Sequence, residues 1–205
     1  MRKIQFANDN YYHIYNRGVD KRYVFISDED REKLLSYLEE LRFDDSGIER
    51  VEIHAFCLMD NHYHLLLKQI LKNGISEFMH DIGTGYTNYF NLIHKRSGCL
   101  FEGPFKAKHI NTDGYLWHLF RYIHLNPLSN FDKAWIDGKK IEIDRALEFV
   151  DKYQWSSLSA SYNDKYPFIK KDFIKTEFCN YNKYQNFLVD WIRFGIPAKL
   201  GFLGA

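Results

Sequence analysis

Leu58-Met59-Asp60-Asn61-His62-Tyr63-His64-Leu65-Leu66-Leu67 is the stretch that decides how this chain is read. Side chains alternate along a strand, so His62 and His64 share one face and Tyr63 takes the other. Two imidazoles on one face can converge on a single metal ion. The same pattern also fits a polar strand face or two hydrogen-bonded core histidines, and His-x-His alone leaves both readings open. Ile53 to Met59 reads as a preceding strand, and Asp60-Asn61 as a tight turn. The expectation is a hairpin over residues 49–69 with the histidine pair close to its turn.

Length and composition bound the rest. At 205 residues the chain makes one good-sized domain, or one with an appendage. Hydrophobic residues make up 45% of it and aromatics 18%, enough for a real core and unlike a disordered chain. No apolar run approaches the roughly 20 residues of a membrane helix. The start, Met1-Arg2-Lys3-Ile4-Gln5-Phe6, lacks the apolar stretch of a signal peptide, so the expected location is cytoplasmic. Cys57, Cys99 and Cys179 are far apart and form no CxxC pair, which argues against a zinc knuckle or a disulfide framework. Net charge is +1, which neither announces nor excludes a nucleic-acid partner. Between Asn91 and His124, however, Lys95, Arg96, Lys106, Lys108 and Arg121 face only Glu102 and Asp113; this window fits a positive face or a solvated mixed surface.

Working outward, Tyr11 to Arg17 reads as a first strand ended by Gly18. Arg17, Lys21 and Arg22 stand at or just beyond its end, where cations can meet phosphates. Ser27 caps a helix expected over 28–42, with Leu34, Leu35, Leu38 and Leu41 at helical spacing. A second helix is expected after Gly74, capped near Ser76 and running to about Lys95, weakened by Gly83 and Gly85. Lys106 to Ile110 reads as a further strand with basic residues on one face. Thr112-Asp113 caps a third helix over about 114–125, closed by Pro127. The order strand, helix, strand, strand, helix, strand, helix predicts an α+β fold around an antiparallel sheet. Beyond it lie a polar turn at 137–140, helices over about 145–152 and 185–194, and no catalytic constellation. The division expected is a domain over 1–130 and a mainly helical extension over 131–205.

The third helix carries Arg121-Tyr122-Ile123-His124-Leu125-Asn126-Pro127. Tyr122 and Asn126 are four apart and share a face. An amide oxygen can join two imidazoles on a divalent ion, and a tyrosine hydroxyl can attack a phosphate that the ion polarises. Tyr86, Tyr89 and Tyr115 are rival tyrosines on or near helices, but none has a partner like Asn126. His118 lies one turn before Tyr122 and reads as a surface residue; His13 and His54, on strands, read as structural.

At this point the chain resembles the REP-associated tyrosine transposases, the single-tyrosine branch of the HUH endonuclease superfamily. The resemblance is carried by Cys57-Leu58-Met59-x-Asn61-His62, by His62-Tyr63-His64 with its leucines, and by Arg121-Tyr122-Ile123-His124-x-Asn126-Pro127. Tyr12 to Gly18, Tyr89-Phe90-Asn91, Gly98 to Phe105 and Trp155-Ser156-Ser157 add to it, so that it spans roughly the first 160 residues. It implies a ferredoxin-like HUH core, with His62, His64 and Asn126 as ligands of Mg²⁺ or Mn²⁺ and Tyr122 as nucleophile. The implied substrate is single-stranded DNA near hairpin repeats, cleaved and rejoined through a 5′-phosphotyrosine link. Arg17, Lys21, Arg22, Lys95, Arg96, Lys106, Lys108 and Arg121 are the expected DNA contacts. The chain departs from the family at Asp60, where proline is frequent, and in a long 128–153 segment.

Two other readings belong beside this one. A domesticated protein would bind DNA hairpins without cutting them, but it would not need the histidine pair and Tyr122 together. A replication initiator or relaxase would use similar chemistry but usually carries larger additional domains. The partner expected is hairpin-bearing single-stranded DNA, not a membrane, and the protein can act as a monomer or a homodimer.

Overall fold

The computed structural model describes residues 4–194 except Gly138. Met1 to Lys3 and the Gly138 position of the polar turn lie outside the described residues. The first strand, β1 (Tyr11–Arg17), is followed by α1 (Asp28–Glu40), the hairpin of β2 (Val51–Met59) and β3 (His62–Gln69), α2 (Gly74–Ile93) and β4 (Lys106–Ile110). The strands form one antiparallel sheet in the order β2-β3-β1-β4. This is the ferredoxin-like βαββαβ arrangement, and α+β is the class of the fold.

The hairpin falls where alternation puts it, with Asp60-Asn61 as its turn. Asp60 serves that turn: its carbonyl accepts from Val24 and Phe25, and its carboxylate pairs with Arg31 of α1 at 2.6 Å. Its carboxylate thus points at α1. One irregularity was invisible in the sequence. The β2–β3 register shifts between Ile53 and Ala55, so His54 occupies a bulge. Phe56 and Leu58 then join the core under α1 and α2, whereas Ala55, Cys57 and Met59 join the core of the other face. Burial raises the Cys57 thiol well above its usual range, leaving it inert.

Helix α1 begins on a capping box in which Ser27 and Asp30 satisfy each other's backbone N–H. Helix α2 starts at Gly74, two residues before the cap expected near Ser76, from Asn73 in the left-handed region. The reason is close approach: a Cβ on Gly74 would meet the Arg50 carbonyl at 2.3 Å.

The second face of the sheet carries α3 (Asp113–Leu125), capped by the Thr112 hydroxyl. Leu116, Leu119, Phe120 and Ile123 bury its apolar stripe, each contributing roughly 1.5–3 kcal/mol. Pro127 does not end the helical path. Asn126 keeps φ −54° and ψ −37°, and the chain runs on into α4 (Leu128–Phe131). Proline disfavours that conformation in the residue before it; here Leu128, fully buried, and Ser129, bonded twice to the Asn126 carbonyl, hold it.

The extension adds α5 (Lys133–Ile136), α6 (Ile143–Lys152), α7 (Asp172–Phe178) and α8 (Tyr181–Phe194). It does more than pack helices. Leu58 N–H donates to Trp155, Ser157 N–H to Phe56 and Lys170 N–H to Ile53. These segments cover the free edge of β2, which would otherwise expose unpaired backbone.

Candidate active site

Strand β3 lies inside the sheet, between β2 and β1, so both histidines sit on a braced strand. His62 and His64 point toward α3, on the face shared by His13, Tyr15 and Arg17 of β1: Arg17 is the register partner of His62, and Tyr15 of His64. Helix α3 presents Tyr122 and Asn126 to the same place. The Asn126 Oδ1 is 3.2 Å from His62 Nε2, and the Tyr122 hydroxyl is 3.5 Å from His64 Nε2. All four predicted site residues therefore meet within one chain.

The protonation of His62 follows from its neighbour. Asn61 donates its amide N–H to the Lys21 carbonyl, which turns Asn61 Oδ1 toward His62 Nδ1 at 2.7 Å. That nitrogen then carries the proton, and Nε2 holds a lone pair facing the Asn126 oxygen. Two lone pairs face each other unless the Asn126 amide is rotated or a cation joins them. Burial keeps the rings neutral: it depresses His62 to about 4, outweighing the Asn126 amide, and lowers His64 well below the usual histidine range. Neutral imidazoles are the form that ligates a metal.

Among the described residues no three His, Cys, Asp or Glu side chains come together to hold an ion. An ion here would thus rest on two imidazoles and one amide oxygen. That donor set contains no thiolate and suits Mn²⁺ or Mg²⁺, with nitrogen ligands favouring Mn²⁺. Three protein donors also leave positions for phosphate oxygen and water.

The Tyr122 hydroxyl is pushed up to about 12, chiefly by burial and against the pull of Asn126. At neutral pH it is a phenol and needs a nearby positive charge to become a nucleophile. Arg17 lies close enough to act on the charges of both His62 and Tyr122. Lys106 and Lys108 stand on β4 opposite Tyr15 and His13, on the same sheet face. Lys106 pairs with Glu102 at 3.3 Å, and Lys108 lies over the Tyr115 ring.

The other expected contacts are placed differently. Lys21 and Arg22 follow β1, where Lys21 holds Asn61 through its carbonyl and Arg22 pairs with Asp20. Lys95 and Arg96 lie at the end of α2, on the opposite layer, with Arg96 bonded to Asn91 and the Cys99 carbonyl. Arg121 turns away from the site to cover the Phe187 ring at 3.6 Å beside Asp190. Tyr86 is buried on the far layer and donates to the Val24 carbonyl. His118 is half-buried and stacks on Trp191. His54 fills the bulge beside Tyr11 and Glu52.

Two participants escaped the sequence reading. Asn61, read only as turn-forming, sets the tautomer of His62. His13, read as structural, places its Nε2 2.9 Å from His64 Nδ1. Asn61 lay inside a quoted motif, so its position was a usable signal. His13 becomes visible only once β1 is paired with β3.

A family model for IS200-like transposases matches residues 7–126, a span that contains all four of these residues. A solved structure of a REP-associated tyrosine transposase bound to a REP hairpin superimposes with a TM-score of 0.53 at 11% identity, covering 84% of this chain and 89% of that one. At that identity the likeness is one of fold. No curated protein matches the chain.

Proposed function

The chain belongs to the IS200-like transposases, and from that premise we propose that it is a metal-dependent nuclease and strand-transferase for single-stranded DNA beside hairpin repeats. The observation that carries this reading is the meeting of Tyr122 with His64, and of Asn126 with His62, on one buried face. His62, His64 and Asn126 would hold Mg²⁺ or Mn²⁺. When bound, the ion supplies positive charge that offsets the scissile phosphate and lowers the proton affinity of the phenol.

The residues of the chain divide the work. Tyr122 Oη forms a bond to phosphorus, the bond from phosphorus to the 3′ oxygen breaks, and the phenolic proton passes to that oxygen. The products are a 5′-phosphotyrosine and a free 3′-OH. The phosphodiester energy is kept in the covalent link, so the reverse step joins a new 3′-OH without ATP. Helix α3 and β3 are both packed elements, and they fix the nucleophile relative to the phosphate. Arg17, Lys106 and Lys108 supply a cationic surround for the DNA backbone on the same face. The hairpin preference rests on the fold likeness to a transposase bound to such a hairpin.

The test is a denaturing gel after incubation with hairpin-bearing single-stranded oligonucleotides and Mn²⁺. A covalent protein–DNA band is expected, lost in Tyr122→Phe and on chelation. Oligonucleotides that bind yet give no band would overturn the nuclease reading in favour of a hairpin-binding protein that does not cut.

A further inference from the structure

We propose that His13 is a positioning residue, holding His64 in the tautomer whose Nε2 lone pair faces Tyr122. The proposal rests on reading His64 as a ligand, and its test separates the two. His13 and His64 lie diagonally on neighbouring strands, on the same face, 1% and 0% exposed. Their rings approach through His13 Nε2 and His64 Nδ1 at 2.9 Å. Only one proton fits between two nitrogens at that distance. If it sits on His64 Nδ1, Nε2 is bare and can donate its lone pair. If it sits on His13, a neutral His64 carries its own proton on Nε2, toward the Tyr122 oxygen 3.5 Å away, and cannot ligate.

The surroundings keep His13 in place. Tyr15 stacks on its ring at 4.8 Å and Tyr122 meets it edge-on at 5.9 Å. Two buried imidazoles are a costly way to fill a core, since each polar nitrogen needs a partner. Leu65, Leu66 and Leu67 on the same strand show that aliphatic packing suits this sheet. A ligating imidazole whose second nitrogen donates to a fixed acceptor is better oriented and more basic, and loss of such a partner typically costs 10–100-fold in metal affinity.

The decisive measurement is a two-bond ¹⁵N–¹H correlation spectrum of histidine-labelled, metal-free wild-type protein. His64 is expected to carry its proton on Nδ1; a proton on Nε2 overturns the proposal. Mn²⁺ binding followed by EPR then compares wild type with His13→Gln, whose amide oxygen can accept, and His13→Leu, which cannot. Thermal melts establish that each variant folds. His13→Leu is expected to bind Mn²⁺ about 10–100-fold more weakly, with His13→Gln close to wild type. A folded His13→Leu that binds like wild type overturns the proposal. If His13→Leu does not fold, the wild-type spectrum decides alone. A wild type that takes up no Mn²⁺ while His64 is protonated on Nδ1 overturns the metal reading and the positioning role that rests on it, an outcome distinct from a proton on Nε2, which overturns the positioning role alone.

Discussion

Asn126 is the residue whose chemistry separates a metal site from a hydrogen-bonded core. Its oxygen faces a nitrogen that already holds a lone pair, because Asn61 fixes the proton of His62 on the other side. If that arrangement awaits a cation, Asn126→Asp should keep or tighten Mn²⁺ binding, and Asn126→Ala should weaken it by about tenfold or more. If the amide is simply rotated to donate to His62, Asn126→Ala should lower stability by about 1 kcal/mol and leave Mn²⁺ uptake unchanged. Calorimetric titration with Mn²⁺, beside urea unfolding, tells the two apart. Tyr122 and Asn126 were legible in the sequence because four residues in one helix fix their common face. The proton on His62 was not, because it depends on a carbonyl from a distant turn. His124 shows a different use of a buried ring. Tyr184 lies 2.6 Å from its Nδ1 and Ser157 2.9 Å from its Nε2. Burial depresses it to about 3 in the folded state, against 6.5 in the unfolded chain. Between those values the unfolded state binds a proton that the folded state refuses. Its contribution to stability is therefore complete above pH 6.5 and declines as pH falls, by up to about 1.4 kcal/mol per unit. His13 and His62 are depressed in the same sense and steepen the loss. Urea titrations at pH 8 and pH 5.5 should show a marked fall in midpoint for wild type and a shallower one for His124→Gln.

At the scale of elements, the question is what fixes α3 over the sheet. Much of the answer lies outside the sheet itself. Ser157 accepts from the Phe56 N–H of β2 at 2.8 Å and meets His124 of α3, which in turn meets Tyr184 of α8. One hydroxyl thus ties β2, α3 and the extension together. Ser157→Ala leaves the Phe56 N–H and a His124 nitrogen buried without that partner, at a cost of about 1–3 kcal/mol. If α3 carries the nucleophile as proposed, adduct formation should slow in the folded variant, with DNA binding less affected, since the β1 and β4 cations stay in place. Equal losses in both would mean that the tie serves stability alone. Periodicity announced the strands and the longer helices, and the hairpin turn was legible too, whereas the short α4, α5 and α7 were not placed. It did not announce the edge cover, because Trp155 to Ser157 and Ile169-Lys170 pair with β2 over only a few residues, too few for alternation to register. Nor did it announce the Asn126-Pro127 geometry. Local preference points away from helix there, and burial of Leu128 overrides it next to the site.

For the whole molecule, the connection between β4 and α3 limits how the site can be completed. Only Asn111 and Thr112 separate the two elements, and so short a link reaches roughly 10 Å at full extension. Helix α3 is therefore delivered to the sheet that contains its own β4. The extension then closes over it through α8 and the β2 edge, so α3 cannot cross to a second copy without breaking the His124 contacts as well. A chain built this way should supply its own tyrosine. Mixing Tyr122→Phe with His62→Ala tests this directly, because each variant lacks what the other retains. If the site is completed within one chain, the mixture should form no more covalent adduct than either variant alone, at any protein concentration. Adduct restored on mixing, and rising with concentration, would show that two chains exchange α3 and that the contacts holding it here are remade across an interface. Sedimentation of the wild type beside that assay makes the result sharper still: a dimer that fails to complement would place the pairing surface away from α3, leaving each copy with a complete site.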